Sequence, residues 1–274
     1  MTSNESASQV RLYREVYGTG DPILFLHGLG ANIFTWRSLV EPFSRDHKVI
    51  LVDFKGNGKS PKPLDSSYSV ADKTNEIYQL IMEEDLINLT LVGNSLGGGI
   101  ALLLAIRLTE THPGRLKRLV LIDSAADKRY VPFPVKVLRS FLGPLLISLS
   151  PSSLAARLTL RLCYFEANKI TAEQVKAYAE PLASKEGKHA FLQTVQQCIP
   201  ENTDELLSKL ATLTVPTFIL WGRQDKVIPL AVGEILNRAI PNSTLEVLDE
   251  CGHIPQEEKP AETIALISRF LATS

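Results

Sequence analysis

Short, unbroken apolar runs recur along the chain at residues 23–26, 49–52, 89–92, 119–122 and 218–220. A strand with one face in water alternates apolar with polar side chains, so runs without alternation predict strands covered on both faces. Residues 10–17 do alternate, as a half-buried strand would, ahead of a Gly- and Pro-containing turn at 18–22, and 244–248 is again strand-like. Between the runs, apolar positions take helical spacing at 34–43, 70–85, 97–108 and 228–239, and a last helix is expected from about Lys259. Strands alternating with helices predict an α/β protein built on a mainly parallel sheet with helices on each face. In such a sheet ligands collect beyond the carboxyl ends of the strands. The positions at or shortly after the runs hold His27, Asp53, Ser95, Asp123 and, a little further on, Asp225.

The alternation stops after Ala126. From about 130 to 210 there is no buried-strand run, but there are prolines at 132, 134, 144, 151 and 181 and helical stretches at 154–165, 172–183 and 187–197. The economical division is a core of residues 1–127 and 211–274 with an all-helical insertion, 128–210, lying over the strand ends as a cap. Phe133, Phe141, Leu142, Leu145, Leu146 and Ile147 make its first part apolar. Most of these are expected to pack the insertion onto the core and a minority to line a pocket, with Phe133, Phe141 and Leu145 the candidates.

Composition narrows the partners. With 29 Lys and Arg against 30 Asp and Glu, a formal charge of -1 and no block of like charge, nucleic acid and anionic membrane surfaces are poor expectations. A small neutral or weakly polar molecule fits better. Cys163, Cys198 and Cys251 have no CxxC spacing, which argues against a disulfide framework or zinc site and for a reducing, cytoplasmic setting. Residues 1–10 are polar, without the basic start and apolar core of a secretory signal, and are expected to fray. The longest apolar runs, 97–106 and 141–149, are too short to cross a bilayer. Monomer and homodimer both remain open.

The stretch with most chemistry is 91–99, Leu-Val-Gly-Asn-Ser-Leu-Gly-Gly-Gly. Gly93-x-Ser95-x-Gly97 between a strand and a helix fits a sharp turn that puts the apical serine in a strained backbone conformation and lifts its hydroxyl clear of the sheet. A serine hydroxyl needs a base, usually a histidine oriented by a carboxylate. His253, in the loop after 244–248, supplies the base. Asp225, after 218–220, is the preferred acid, with Asp123 at the end of the preceding strand as its competitor. The developing oxyanion needs two fixed donors. Leu96 N–H at the helix start is one, and Leu29 N–H in His27-Gly28-Leu29-Gly30 is the other, with His27 bracing that loop. Residues 53–60 (Asp-Phe-Lys-Gly-Asn-Gly-Lys-Ser) lack phosphate-loop spacing and read as a tight structural loop pinned by Asp53 and Ser60. No zinc-type HExxH and no dinucleotide fingerprint occurs, so chemistry without cofactor or metal is expected.

Taken together, His27-Gly28-Leu29-Gly30, the 53–60 loop, Gly93-Asn94-Ser95-Leu96-Gly97-Gly98, Trp221-Gly222-Arg223-Gln224-Asp225 and Cys251-Gly252-His253-Ile254-Pro255-Gln256 resemble the α/β-hydrolase superfamily. The resemblance implies a sheet of about eight strands with a helical cap inserted after the sixth. It also implies Ser95, Asp225 and His253 as nucleophile, orienting acid and general base, and Leu29 and Leu96 as oxyanion donors. Dehalogenases and epoxide hydrolases of the superfamily have an aspartate where Ser95 stands. Two serine-bearing groups stay open: carboxylesterases and lipases, and the carbon–carbon hydrolases of meta-ring-fission products. Asn94 before the serine is a spelling frequent in the second group, and Gly28, Asn32 and Asn94 are candidate substrate contacts. Against that group stand Ala31 and Asn32 in place of its HGxGPG loop and Ile254 where a tryptophan is usual. The expectation is therefore an esterase of small to medium acyl chains acting on a small-molecule ester, with a ketone-cleaving C–C hydrolase, a triad-bearing ligand sensor and an acyltransferase as the alternatives.

Overall fold

The computed structural model describes residues 10–200 and 207–273. The polar stretch 1–9, expected to fray, and residues 201–206 of the insertion lie outside them. Seven strands form one sheet: β1 (Arg14–Tyr17), β2 (Pro22–Leu26), β3 (Lys48–Val52), β4 (Leu89–Asn94), β5 (Leu116–Ile122), β6 (Thr217–Gly222) and β7 (Ser243–Leu248). Their order is β1-β3-β2-β4-β5-β6-β7, with β1 antiparallel to β3 and every other pair parallel. The unbroken apolar runs have their explanation here. In β2, Leu24 and Leu26 enter a core layer shared with Leu91, Leu119 and Leu121, while Ile23 and Phe25 enter a layer on the opposite face with Val92, Val120 and Ile122. A strand buried on both sides has no polar position to spare.

Helices cover each face. On the first lie α2 (Val70–Glu83), opened by a reciprocal Ser69–Asp72 capping box, and α3 (Leu96–Thr111). On the second lie α1 (Arg37–Phe43), with Leu39 and Phe43, and the last helix, whose Ile267 joins the same layer. Between β5 and β6 run α4 (Phe133–Leu138), α5 (Gly143–Leu149), α6 (Ser152–Cys163), α7 (Ala172–Ala179) and α8 (Lys185–Gln197), with no strand among the described residues of that segment. After β6 come α9 (Leu230–Ala239), α10 (Pro255–Glu258) and α11 (Pro260–Thr273).

Two expectations need correction. The described sheet has seven strands, not eight, and the helical insertion follows the fifth strand, not the sixth. The hydrophobic pattern itself contains only seven strand-like stretches, and the eighth came from the resemblance. β1 forms the sheet edge, paired with β3 alone, and no further extended segment among the described residues lies outside it. No helix among the described residues is long and apolar enough to cross a membrane.

Candidate active site

The turn joining β4 to α3 explains its own sequence. Ser95 sits at φ 55°, ψ -120°, a conformation that costs an L-residue on the order of 1–3 kcal/mol and persists only where its surroundings enforce it. They do so by close packing. A methyl on Gly93 would lie 2.4 Å from the Gly97 carbonyl oxygen, and one on Gly97 would lie 2.1 Å from that of Leu26. Only glycine allows β4, α3 and β2 to approach this closely. Ser95 is fastened by its backbone, its N–H donating to Ile122 O and its carbonyl accepting from Gly99 and Ala125 N–H.

His253 and Asp225 meet as their order along the chain suggested. Asp225 Oδ2 accepts from His253 Nδ1 at 2.7 Å, and its Oδ1 accepts the backbone N–H groups of Val227 at 2.7 Å and Ile228 at 3.0 Å. One oxygen is thus anchored and the other aimed. The Asp225 side chain is fully buried and that of His253 nearly so. With Nδ1–H committed to a carboxylate, the second ring nitrogen of a neutral His253 is left as a proton acceptor.

Asp123, the rival acid, is brought to the same place. Suitable donor or acceptor atoms of Asp123, Asp225 and His253 all lie within 4.8 Å of one another. Asp123 Oδ1 accepts Gly222 N–H at 3.0 Å. Burial, and then the neighbouring Asp225 carboxylate, push its pKa well above the ordinary range. The direct contact with His253 Nδ1 is made by Asp225. This is the one grouping of three His, Cys, Asp or Glu side chains suited to a metal among the described residues, and the atoms facing each other in its Asp225–His253 pair are already spent on that hydrogen bond.

The 27–30 loop lies against this turn. A methyl built on Gly28 would stand 3.2 Å from Ser95 Cβ, and Gly30 takes φ +69° beneath the Phe191 ring. His27 braces the loop: its Nδ1 lies 2.8 Å from Gly28 O, and its Nε2 accepts Phe54 N–H at 3.2 Å. A carbonyl can only accept, so Nδ1 carries the proton. Complete burial lowers the His27 pKa to about 4, which keeps the ring in that neutral form. Residues 53–60 are pinned locally. Asp53 carboxylate oxygens accept the N–H groups of Ile33 and Lys59, each at 2.8 Å, and Ser60 Oγ donates to Asp53 O.

Ser95, His253, Leu29 and Leu96 share the wall of one cavity of about 500 Å³, mostly apolar, whose remaining lining comes largely from the insertion. Val135, Leu138, Ile147, Leu158 and Leu162 face it. The three aromatic and leucine candidates of the insertion do not. Phe133, Phe141 and Leu145 are 76%, 90% and 56% exposed and stand outside the cavity lining. A short helix that is apolar all round can turn only one face inward, and in α5 that face holds Leu146 and Ile147. Nor do they pack the insertion onto the core.

Gly28, Asn32 and Asn94, named as substrate contacts, are likewise outside the cavity lining. Asn94 Nδ2 donates to the carbonyls of Ile122 and His253, each at 3.1 Å, so it ties the histidine loop to the serine turn. Asn32 caps the turn at Ile33–Trp36 by accepting Phe34 N–H and donates to Ala177 O in α7. Gly28 makes the close approach already described.

Two residues that the sequence reading missed join insertion to core. Buried Glu257 accepts from Thr35 Oγ1 (2.8 Å), Arg37 Nη1 (2.8 Å), Gln174 Nε2 (2.9 Å) and Tyr178 OH (2.5 Å). Glu258 accepts the N–H groups of Gly252, Phe165 and Glu166. His253 N–H itself donates to Cys163 O at the end of α6. Two adjacent acids directly after the histidine loop were the available signal, but their partners come from distant segments.

A mainly parallel sheet that gathers serine, histidine and aspartate beyond the carboxyl ends of β4, β6 and β7 has the layout of a hydrolase of the α/β class. Residues 21–260 match the family described as alpha/beta hydrolase fold, and the chain belongs to that family. It is 30% identical over 277 residues to a 2-hydroxymuconate semialdehyde hydrolase from Pseudomonas sp., covering 97% of this chain and 92% of that one. It is 25% identical over 258 residues to Lipase 3 of Moraxella sp., covering 89% and 75% of the two chains. The thermophilic esterase from Thermogutta terrifontis superposes with a TM-score of 0.79 at 25% identity, covering 99% of this chain and 96% of that one.

Proposed function

We propose that the protein is a serine hydrolase cleaving carboxylic esters through an acyl-enzyme, with residues 128–210 as the cap over its site. The observation that carries this reading is the 2.7 Å Asp225–His253 contact beside a serine held at positive φ on the same cavity wall. His253 takes the Ser95 proton, the alkoxide attacks the ester carbonyl, and Leu29 and Leu96 N–H groups hold the oxyanion. Leu96 opens α3, so its N–H has no helical carbonyl behind it to bond and is available. Protonated His253, stabilised by Asp225, delivers the proton to the leaving alcohol. Water then repeats the steps on the acyl-serine and frees the acid.

The second reading, a hydrolase of meta-ring-fission products, is supported by the 30% identical relative. A dienoate carries a carboxylate that needs a cationic or strongly donating partner once desolvated. The core contributes Leu29, Leu96, Val227 and Ile228 to the lining, and the lysines of the lining, Lys128 and Lys188, come from the insertion. A mostly apolar lining favours the uncharged ester. A panel of p-nitrophenyl esters of rising acyl length, run beside one dienoate ring-fission product, decides between them. The ester reading predicts turnover of the esters with kcat/KM at least about tenfold above that for the dienoate, a difference of about 1.4 kcal/mol in transition-state binding. The reverse preference would replace it with the C–C reading.

A further inference from the structure

The insertion has a charge pattern that the even balance of the whole chain conceals. Residues 128–165 contain Lys128, Arg129, Lys136, Arg139, Arg157 and Arg161 and no Asp or Glu. All six basic residues are exposed. Arg129 pairs with Asp127 just upstream, whereas Lys136, Arg157 and Arg161 form no ion pair among the described residues.

The same helices turn large apolar side chains to water. Leu142, Leu145, Leu146 and Leu149 follow the i, i+3, i+4, i+7 spacing of one helical face, and all are exposed, Leu149 at 73%. Phe133 and Phe141 flank them, and on α6 Leu154 and Leu158 lie one turn apart beside Arg157 and Arg161. A water-facing surface with this density of large apolar groups marks an interaction site. It also reaches inward: Leu146 and Leu158 are exposed and at the same time line the cavity that holds Ser95.

We propose that the α4–α6 face docks on an anionic lipid surface, from which apolar esters pass into the cavity. The passage of esters rests on the hydrolase reading above; the docking does not. On such a surface Phe141 and the leucines sink below the headgroups while the basic side chains meet the phosphates. A second copy of the chain suits this face less well, because a two-fold contact would set one all-basic surface against another. The expectation against anionic membranes, drawn from the net charge, averaged this face with acidic positions elsewhere.

Docking is measured by co-sedimentation of the full chain carrying Ser95→Ala, which cannot turn lipid over, with vesicles of phosphatidylcholine alone or mixed with phosphatidylglycerol. Binding to the anionic vesicles is expected to exceed that to the neutral ones by about tenfold or more at low salt and to weaken as salt rises. Phe141→Asp with Leu149→Asp, and separately Lys136→Glu with Arg157→Glu, should each lower it by about tenfold. These four residues are exposed, so the same substitutions in the Ser95 protein should leave melting unchanged and turnover of a water-soluble short-chain aryl ester within about twofold. Because vesicle binding is read on a protein without the serine, its failure is distinct from failure of the ester reading. Equal or absent binding to both vesicle types, or unaltered binding by the substituted chains, would overturn the proposal. So would a dimer in sedimentation equilibrium that Phe141→Asp separates while vesicle binding is absent, since the face would then be a self-interface.

Discussion

Asp123 and Asp225 are two carboxyl groups beside one histidine, and their surroundings differ. Asp225 is held by two backbone N–H groups on one oxygen and by His253 on the other, whereas Asp123 has one backbone donor and a pKa raised by burial and by the nearby Asp225. Asp225→Asn should lower kcat for a p-nitrophenyl ester by roughly 10³–10⁴, because an amide can stabilise the wrong histidine tautomer and cannot balance an imidazolium. Asp123→Asn keeps the shape of the side chain and can still accept from Gly222 N–H. Its kcat should stay within about fivefold of the parent. Steady-state kinetics on the two purified variants check the contrast, and comparable losses in both would make the pair a single shared acid. Single residues were the hardest level to read from sequence. That His253 meets Asp225 and shares a cavity wall with Ser95 was legible because each of the three stood after an apolar run, where strand ends converge. The amides of Asn32 and Asn94, expected as substrate contacts, are turned to backbone carbonyls of distant segments, which no local pattern reports. Glu257 and Glu258 went unnoticed for the same reason.

At the scale of elements, the 27–30 loop depends on a histidine that must stay neutral. The folded state lowers the His27 pKa from 6.5 to about 4 by burial, so between these values the unfolded chain binds a proton that the folded chain excludes. By linkage, stability contributed above pH 6.5 is lost as pH falls towards about 4, by up to on the order of 2–3 kcal/mol. Protonation of Nε2 would also break its acceptance of Phe54 N–H. Melting temperature should therefore decline over that window, and the His27→Gln variant, lower at pH 7, should decline less steeply; parallel pH profiles would remove His27 as the cause. Strands and core helices were readable because burial on both faces leaves its mark in every residue, as Ile23–Leu26 shows. The short helices of the insertion were readable as helices but not in orientation. α5 is apolar on more than one side, so Leu145 and Leu149 gave no sign that they face water while Leu146 and Ile147 face the cavity.

For the whole molecule, the sheet fixes where the serine, histidine and acid emerge, and residues between β5 and β6 supply much of the lining of a mostly apolar cavity of about 500 Å³ that Ser95 and His253 share. Glu257 and Glu258 join the two parts close to His253, so this residue is positioned by both. The fold class was legible from the order of apolar runs, and the described residues form seven strands where the resemblance implied about eight. Net charge sums over the whole surface and does not report that residues 128–165 carry basic side chains and no acidic ones. The central claim is a covalent step at one residue, and mixing the protein with excess p-nitrophenyl ester for milliseconds to seconds, quenching in acid and mapping the acyl group by peptide mass tests it most directly. The expected result is a burst of nitrophenol approaching one equivalent per chain wherever deacylation is slower than acylation, with the acyl mass on the peptide containing Ser95 and neither signal in Ser95→Ala. Undiminished turnover in Ser95→Ala, or an acyl group carried by another residue, would contradict it.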